Sequence, residues 1–321
     1  MSEQGLGTAD ISIHTIGSLL AEAEGNLQEG GIEHPSLEAA WLLEYVLHVS
    51  PLMQRVKPER QVPAEKRRRV QSLVARRAGR EPLQYVLGTQ EFCGREFLVT
   101  PSVLIPRPES ALLVEEAVRR CQEISEAIVV DVGTGSGCLA VSVAAALPTA
   151  RILAIDLSHD ALSVARRNML QHGMEGRIEC FCGDLLSPLE TSLSVTQVDV
   201  ILSNPPYIEE TNWMTLQPEV RCFEPPLALA GGRDGMDVHR RLIEQAPAFL
   251  KPGGVLLMEV GAGQAKSVCR QAEQKSWFRV YNVLRDQGGI DRVVCLERQN
   301  GGMSVPNPSA AAQMAEFNPH S

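Results

Sequence analysis

The most constraining feature of this chain is a strand, turn and helix pattern that begins at Ala127 and then repeats. AIVVDVG leads into SGCLAVSVAAAL, RILAID leads into HDALSVARRNML, and further strands read at RIECFCG, VDVILSN and GVLLMEV. Short apolar runs alternating with helical segments leave few folds open. Parallel strands need crossover helices, and those helices cover both faces of the sheet. The predicted class is α/β with a mostly parallel sheet. Ligands of such sheets bind outside the carboxyl ends of the strands, so the residues that close each strand are the candidates for function.

The first strand closes in Asp131-Val-Gly133-Thr134-Gly135-Ser-Gly137 and opens directly into a helix. Glycines at that junction let backbone N–H groups and a helix N-terminus approach a ligand closely. The spacing is G-x-G-x-G, and Cys138 stands where the dinucleotide fingerprint has its third glycine. Asp131 sharpens the distinction. A carboxylate is repelled by a diphosphate but attracted by the ammonium of S-adenosylmethionine, which favours methyl transfer over hydride transfer. Asp156, in LAIDLS, closes the next strand, where a carboxylate can accept both hydroxyls of a ribose. Asp184, in CGDLL, can accept from an adenine amine. Either acid alone is equally well read as a helix N-cap; three acids ending three consecutive strands favour a ligand.

After VDVILS comes Asn204-Pro205-Pro206-Tyr207. Two prolines at a strand end fix the backbone and remove two N–H donors. The Asn204 side-chain oxygen and the Pro205 carbonyl can then both accept from one incoming NH2 group, and Tyr207 offers a flat face for a planar amide or base. An amide nitrogen is a poor nucleophile because its lone pair is delocalised. Two acceptors that hold its hydrogens better as it turns tetrahedral stabilise the transition state selectively.

Around this core the chain has 321 residues, enough for two domains. Residues 1–88 read as a small helical bundle. Ile13, Ile16, Leu20, Ala23 and Leu27 mark one inward face, Leu37, Trp41, Val46 and Leu47 a second, and Val70, Leu73 and Val74 a third. Residues 89–106 read as a hairpin or extended linker, Pro108 and Glu109 open a helix to about Cys121, and the sheet domain spans 107–298. Residues 299–321, rich in Gly, Pro, Ser and Asn, read as a disordered tail. No apolar run is long enough for a membrane span and the N-terminus carries no secretory signal, so a cytoplasmic protein is expected. The net charge of −9 argues against a broad nucleic-acid footprint. Ten Lys or Arg against two Glu between Arg55 and Arg80 form either a solvated helix face or a docking surface for an acidic partner. The eight cysteines show no metal-binding spacing and are expected to be reduced thiols serving as small core residues.

Taken with these motifs, EPLQYVLG, EFCGREFLV, LIPRPES, DVGTGSG, SNPPYI and EPPLALAGGRDGM make the chain resemble the peptide chain release factor glutamine methyltransferases over roughly residues 10–297. The resemblance implies a Rossmann-like class I methyltransferase domain with a seven-stranded sheet, preceded by a helical substrate-docking domain, acting as a monomer. It implies methylation of the glutamine in the Gly-Gly-Gln loop of class-I release factors, with S-adenosylmethionine as cofactor and S-adenosylhomocysteine as product. By motif, Asp131, Gly133, Gly135 and Gly137 would line the methionine part of the cofactor and Asp156 its ribose. Asp184 would lie near the adenine, and Asn204 with Pro205, Pro206 and Tyr207 would hold the glutamine, Asn204 also bordering the cofactor. Arg107 and Glu109 match a family segment near that site, although here IPRPE continues with Ser110 and Ala111 instead of Thr and Glu. Three other readings share some of these marks. A ribosomal-protein glutamine methyltransferase also carries SNPPY, but IPRPE separates the two branches. An adenine methyltransferase of nucleic acid suits Asn-Pro-Pro-Tyr, but calls for a basic recognition domain. A non-enzymatic cofactor-binding protein would need no intact acceptor motif.

Overall fold

The structure, a computed structural model, describes residues 14–191 and 197–299. Its first compact unit ends at Leu87 and is helical: α1 (Ile16–Glu29), α2 (Pro35–Leu47), α3 (Pro51–Val56), α4 (Ala64–Ala78) and α5 (Leu83–Leu87). Thr15 and Ser18 cap α1 reciprocally, each side chain bonding the other's backbone N–H, and proline opens α2 and α3. Ile16, Leu19, Ala23 and Leu27 of α1 meet Val70, Leu73 and Val74 of α4 in one core; Ile13 lies outside the described residues.

Helix α2 departs from the expected face. Val46 and Leu47 are buried, but Leu37 and Trp41 stay 47% and 40% exposed, and Ala39, Leu42 and Leu43 are buried in their place. The helix is apolar around most of its circumference, so two stripes at helical spacing compete, and periodicity alone does not choose between them. The basic stretch is partly structural. Arg77 is buried against Glu38 at 2.5 Å, Arg76 pairs with Glu81, Arg80 donates to the Gly31 carbonyl, and Arg69 lies over the Tyr45 ring.

The second unit begins at Gly88. Its hairpin, β1 (Thr89–Phe92) and β2 (Arg95–Leu98), turns through Cys93 and Gly94, both at positive φ, as a two-residue hairpin turn requires. Then follow α6 (Ala111–Cys121), β3 (Ile128–Val132), α7 (Cys138–Ala146), β4 (Arg151–Asp156), α8 (His159–Gln171), β5 (Ile178–Cys182) and α9 (Ser187–Thr191). The chain continues through β6 (Val198–Ser203), α10 (Pro218–Phe223), α11 (Asp237–Phe249), β7 (Leu250–Glu259), α12 (Ala265–Glu273), β8 (Phe278–Arg285) and β9 (Asp291–Arg298). The hairpin is fastened to the sheet unit: Asn168 of α8 both accepts from Leu98 N and donates to Leu98 O, and Phe92 and Phe97 enter the core beside α6 and α7.

The sheet has seven strands in the order β5-β4-β3-β6-β7-β9-β8, parallel except for β9, which pairs antiparallel with β7 and β8. Alternate residues of each strand feed opposite cores. Val129, Ile152, Ala154, Val200 and Leu202 face α6, α7 and α8, while Val130, Leu153, Ile155, Ile201 and Leu256 face α11 and α12. Burial on both faces explains why these strands read as unbroken apolar runs. Chain order reverses between β3 and β6, so their carboxyl ends diverge into a crevice. Cys121, Cys138 and Cys295 are core residues as expected, but Cys93, Cys182 and Cys222 are exposed. Gln299 still bonds to Trp277 O, and residues 300–321 of the expected tail lie outside the described residues. No helix among the described residues is long and apolar enough to cross a membrane.

Candidate active site

A cleft of about 500 Å³ opens at this crevice, a volume suited to a small-molecule ligand. One end is built from the turn after β3. Gly133 N and Thr134 N both donate to Ile155 O, which folds the loop back over the end of β4. Gly133, Gly135 and Gly137 all adopt positive φ, a conformation that side chains disfavour, and a Cβ at Gly137 would press on Ala165 of α8 at 3.3 Å. Asp156 closes β4 with its carboxylate aimed by the backbone. Oδ2 accepts from Gly135 N at 2.8 Å and Oδ1 from Ser158 N at 2.9 Å. Burial holds its pKa above the usual carboxylate value, opposed by those bonds. Gly133, Thr134, Gly135, Asp156 and Asp184 line the cleft, with Ile155, Leu157 and Leu185 as apolar walls. Asp184 also pairs with Arg241 at 2.5 Å, a partner the sequence did not indicate.

Asp131 does not line the cleft. It is fully buried beneath the loop, where Oδ2 accepts from the Thr134 hydroxyl at 2.6 Å and from Ala140 N at 3.2 Å. Its carboxylate is thus turned to the loop and to the first turn of α7, and burial pushes its pKa up to about 7. Its Oδ1 has no hydrogen-bond partner among the described residues.

The other end is built around Asn204, just past β6. Asn204 Nδ2 donates to Ser110 Oγ at 3.1 Å, and Ser110 Oγ donates to Glu259 Oε2 at 2.6 Å. One of the two amide hydrogens is thereby committed, and no donor among the described residues meets Asn204 Oδ1. Asn204 and Pro206 line the cleft with Leu104, Pro106 and Arg107, and Pro205 between them is buried. Tyr207 does not line the cleft either. Its ring lies against Gly261, its hydroxyl reaches toward Glu259 Oε1 at 3.5 Å, and burial raises its phenol pKa. The half-buried ring thus also seats the loop. Glu259 is itself buried, which pushes its pKa up to about 7.

The segment EPPLALAGGRDGM serves the same loop. Ile208 and Ala230 form a parallel bridge, and a Cβ at Gly231 would stand 2.7 Å from Tyr207 Cα, so only glycine lets the two strands of backbone pass. Gln264 donates to Tyr207 O at 3.0 Å. Glu224 is buried, accepts from Ile105 N and pairs with Arg107, which fixes the IPRPE segment beside Asn204. Ser110, Glu224, Gln264 and Glu259 went unread as site residues. Glu259 carried a usable signal: it closes GVLLMEV, so the rule that singled out the acids ending three other strands applies to it equally.

A switch-point cleft with a glycine loop at one end and an acceptor-presenting Asn-Pro-Pro at the other defines a cofactor-dependent group-transfer enzyme. Residues 108–218 match the family described as "Methyltransferase small domain", which makes this a methyltransferase, and residues 18–88 match "PrmC N-terminal domain". A protein of Geobacter sulfurreducens named release factor glutamine methyltransferase is 44% identical over 88% of this chain and 96% of its own length. One of the same name from Koribacter versatilis is 39% identical over 84% and 93% respectively. The solved structure of a release factor-specific protein-(glutamine-N5) methyltransferase from Alicyclobacillus acidocaldarius is 33% identical, covering 64% of this chain and all of that one, with a TM-score of 0.38. The chain belongs to the release factor glutamine methyltransferase family.

Proposed function

We propose that this chain transfers a methyl group from S-adenosylmethionine to the side-chain amide nitrogen of a glutamine, the one in the Gly-Gly-Gln loop of class-I peptide chain release factors. The observation that carries the reading is the oriented amide of Asn204, with one Nδ2 hydrogen held by Ser110 and Oδ1 left to accept from an incoming NH2 group.

The donor set fits the cofactor. Asp156, oriented by two backbone N–H groups, has the chemistry to accept from a ribose diol, Asp184 from an adenine amine, and the glycine loop leaves room for the methionine part. When bound, S-adenosylmethionine supplies an electrophilic sulfonium methyl and departs as S-adenosylhomocysteine. Asn204 Oδ1 and the Pro205 carbonyl would accept the two amide hydrogens and tighten on them as the nitrogen becomes tetrahedral. Pro205 and Pro206, lacking N–H groups, present no donor to compete with the substrate amide. Asp131 would act from beneath, holding Thr134 and the start of α7 so that the loop keeps its shape. A methylated amide nitrogen is strongly acidic, so its surplus proton passes to solvent and no strong base is needed.

The helical unit within residues 1–88 is proposed to dock the release factor, and the protein to work in the cytoplasm with that substrate. The test is S-adenosylhomocysteine formation on mixing the protein, cofactor and a purified class-I release factor. Turnover with the native factor, and none when its Gly-Gly-Gln glutamine is replaced by alanine, is expected. Equal turnover with both factors, or turnover only with a ribosomal protein or nucleic acid, overturns the reading.

A further inference from the structure

We infer that Ser110 and Glu259 set the direction of hydrogen bonding at Asn204, and so act as positioning residues for methyl transfer. The inference rests on the function proposed above. Both side chains are almost wholly buried, Ser110 at 3% and Glu259 at 2% exposure, and they lie 149 positions apart in the chain. A hydroxyl has one proton to give, and an ionised carboxylate can only accept. The Ser110 proton therefore goes to Glu259 Oε2 at 2.6 Å, and its lone pair takes Asn204 Nδ2 at 3.1 Å. Asn204 must then offer its oxygen, not its NH2, to the other side. The substrate amide brings only hydrogens to that point, so a turned Asn204 would set donor against donor.

The same chain of bonds runs backwards when Glu259 is protonated. A carboxylic acid donates to Ser110, Ser110 then donates to Asn204 Oδ1, and the amide rotates its NH2 toward the substrate. Among the described residues, five groups face Glu259: the Ser110 hydroxyl ahead of α6, the Tyr207 hydroxyl after β6, the His239 ring on its backbone carbonyl from α11, the Arg292 charge from β9 and the Glu109 charge ahead of α6. Burial is the largest influence and pushes its pKa up to about 7, with Ser110 and Arg292 opposing.

The test compares Ser110→Thr with Ser110→Val, which share a shape and differ in the hydroxyl. Ser110→Val is expected to lower kcat by about 10- to 100-fold with KM for the cofactor within about threefold, and Ser110→Thr to stay within about threefold of wild type. In wild type kcat should fall about tenfold per pH unit below about pH 7, a limb that Glu259→Gln loses. The side-chain amide resonances of Asn204, followed by 15N–1H NMR, should move in Ser110→Val and not in Ser110→Thr, a readout that needs no turnover. Val and Thr variants alike in both kcat and the Asn204 resonances overturn the inference. If wild type methylates no release factor while the resonances still separate Val from Thr, the proposed function fails and the positioning stands.

Discussion

The two ends of the cleft are built by different means. At the cofactor end the working groups are backbone atoms and strand-end carboxylates from contiguous stretches, Gly133 to Gly137 and Asp156 to Ser158, joined by the 2.8 Å bond from Gly135 N to Asp156. At the acceptor end Asn204 takes its orientation from Ser110, 94 positions away, which itself depends on Glu259, 149 positions from Ser110. A backbone cradle is a local object and tolerates variation in most side chains around it. A side-chain relay exists only once the sheet has brought its members together, and each member is needed.

That contrast is sharpest in the effect of single substitutions. Asn204→Ala should cost the most, about 100- to 1000-fold in kcat, as for loss of one well-placed polar group at a reacting centre; single-turnover rates at saturating cofactor measure it. Asp156→Ala should act at the other end. Loss of hydrogen bonds to a charged acceptor is worth about 1.5–3 kcal/mol, or roughly 10- to 100-fold in cofactor Kd. Titration calorimetry reads that change, while kcat at saturation should fall no more than a few-fold; an unchanged Kd would break the division between the two ends.

A smaller effect separates scaffolding from chemistry. Arg107→Ala leaves the buried Glu224 carboxylate without its ion-pair partner. It should destabilise by about 2–3 kcal/mol, less than for a fully buried pair because Arg107 is partly exposed, and urea denaturation checks it. Asp131 gives the most specific signature. Its folded pKa is raised from 3.8 to about 7, chiefly by burial, so the native state binds this proton more tightly than the unfolded chain. The stability this group contributes is complete below about pH 4 and is lost as pH rises through about 7. Asp131→Asn, neutral throughout, should therefore gain in Tm relative to wild type between pH 5 and pH 8. The difference should grow by about 2–3 kcal/mol across that range in the cofactor-free protein; a constant gap across that range would show the carboxylate is not titrating.

What was legible in the sequence follows the same divide. The alternation of strands and helices gave the α/β class, and the acids at strand ends marked the edge where the cleft lies, because both are local patterns. The antiparallel placement of β9 between β7 and β8 is a long-range pairing that no local pattern carries. On α2 the periodicity was present but ambiguous, and neighbouring helices chose Ala39, Leu42 and Leu43 over Leu37 and Trp41. At the site, Asp131 is fully buried against Thr134 and α7, and the half-buried Tyr207 points its hydroxyl toward Glu259. Sequence motifs fix where a residue sits along the chain; which way it points is settled by what it packs against. Glu259 is the reverse case, a residue whose place at a strand end was visible and whose partners were not.

The most direct test is tandem mass spectrometry of the Gly-Gly-Gln peptide after a class-I release factor has been incubated with this protein and S-adenosylmethionine. A gain of about one methyl mass, localised to the glutamine side-chain amide and absent with Asn204→Ala, is the expected result. Methylation elsewhere in the release factor, or a glutamine methylated equally well by Asn204→Ala, would contradict an acceptor site organised around Asn204.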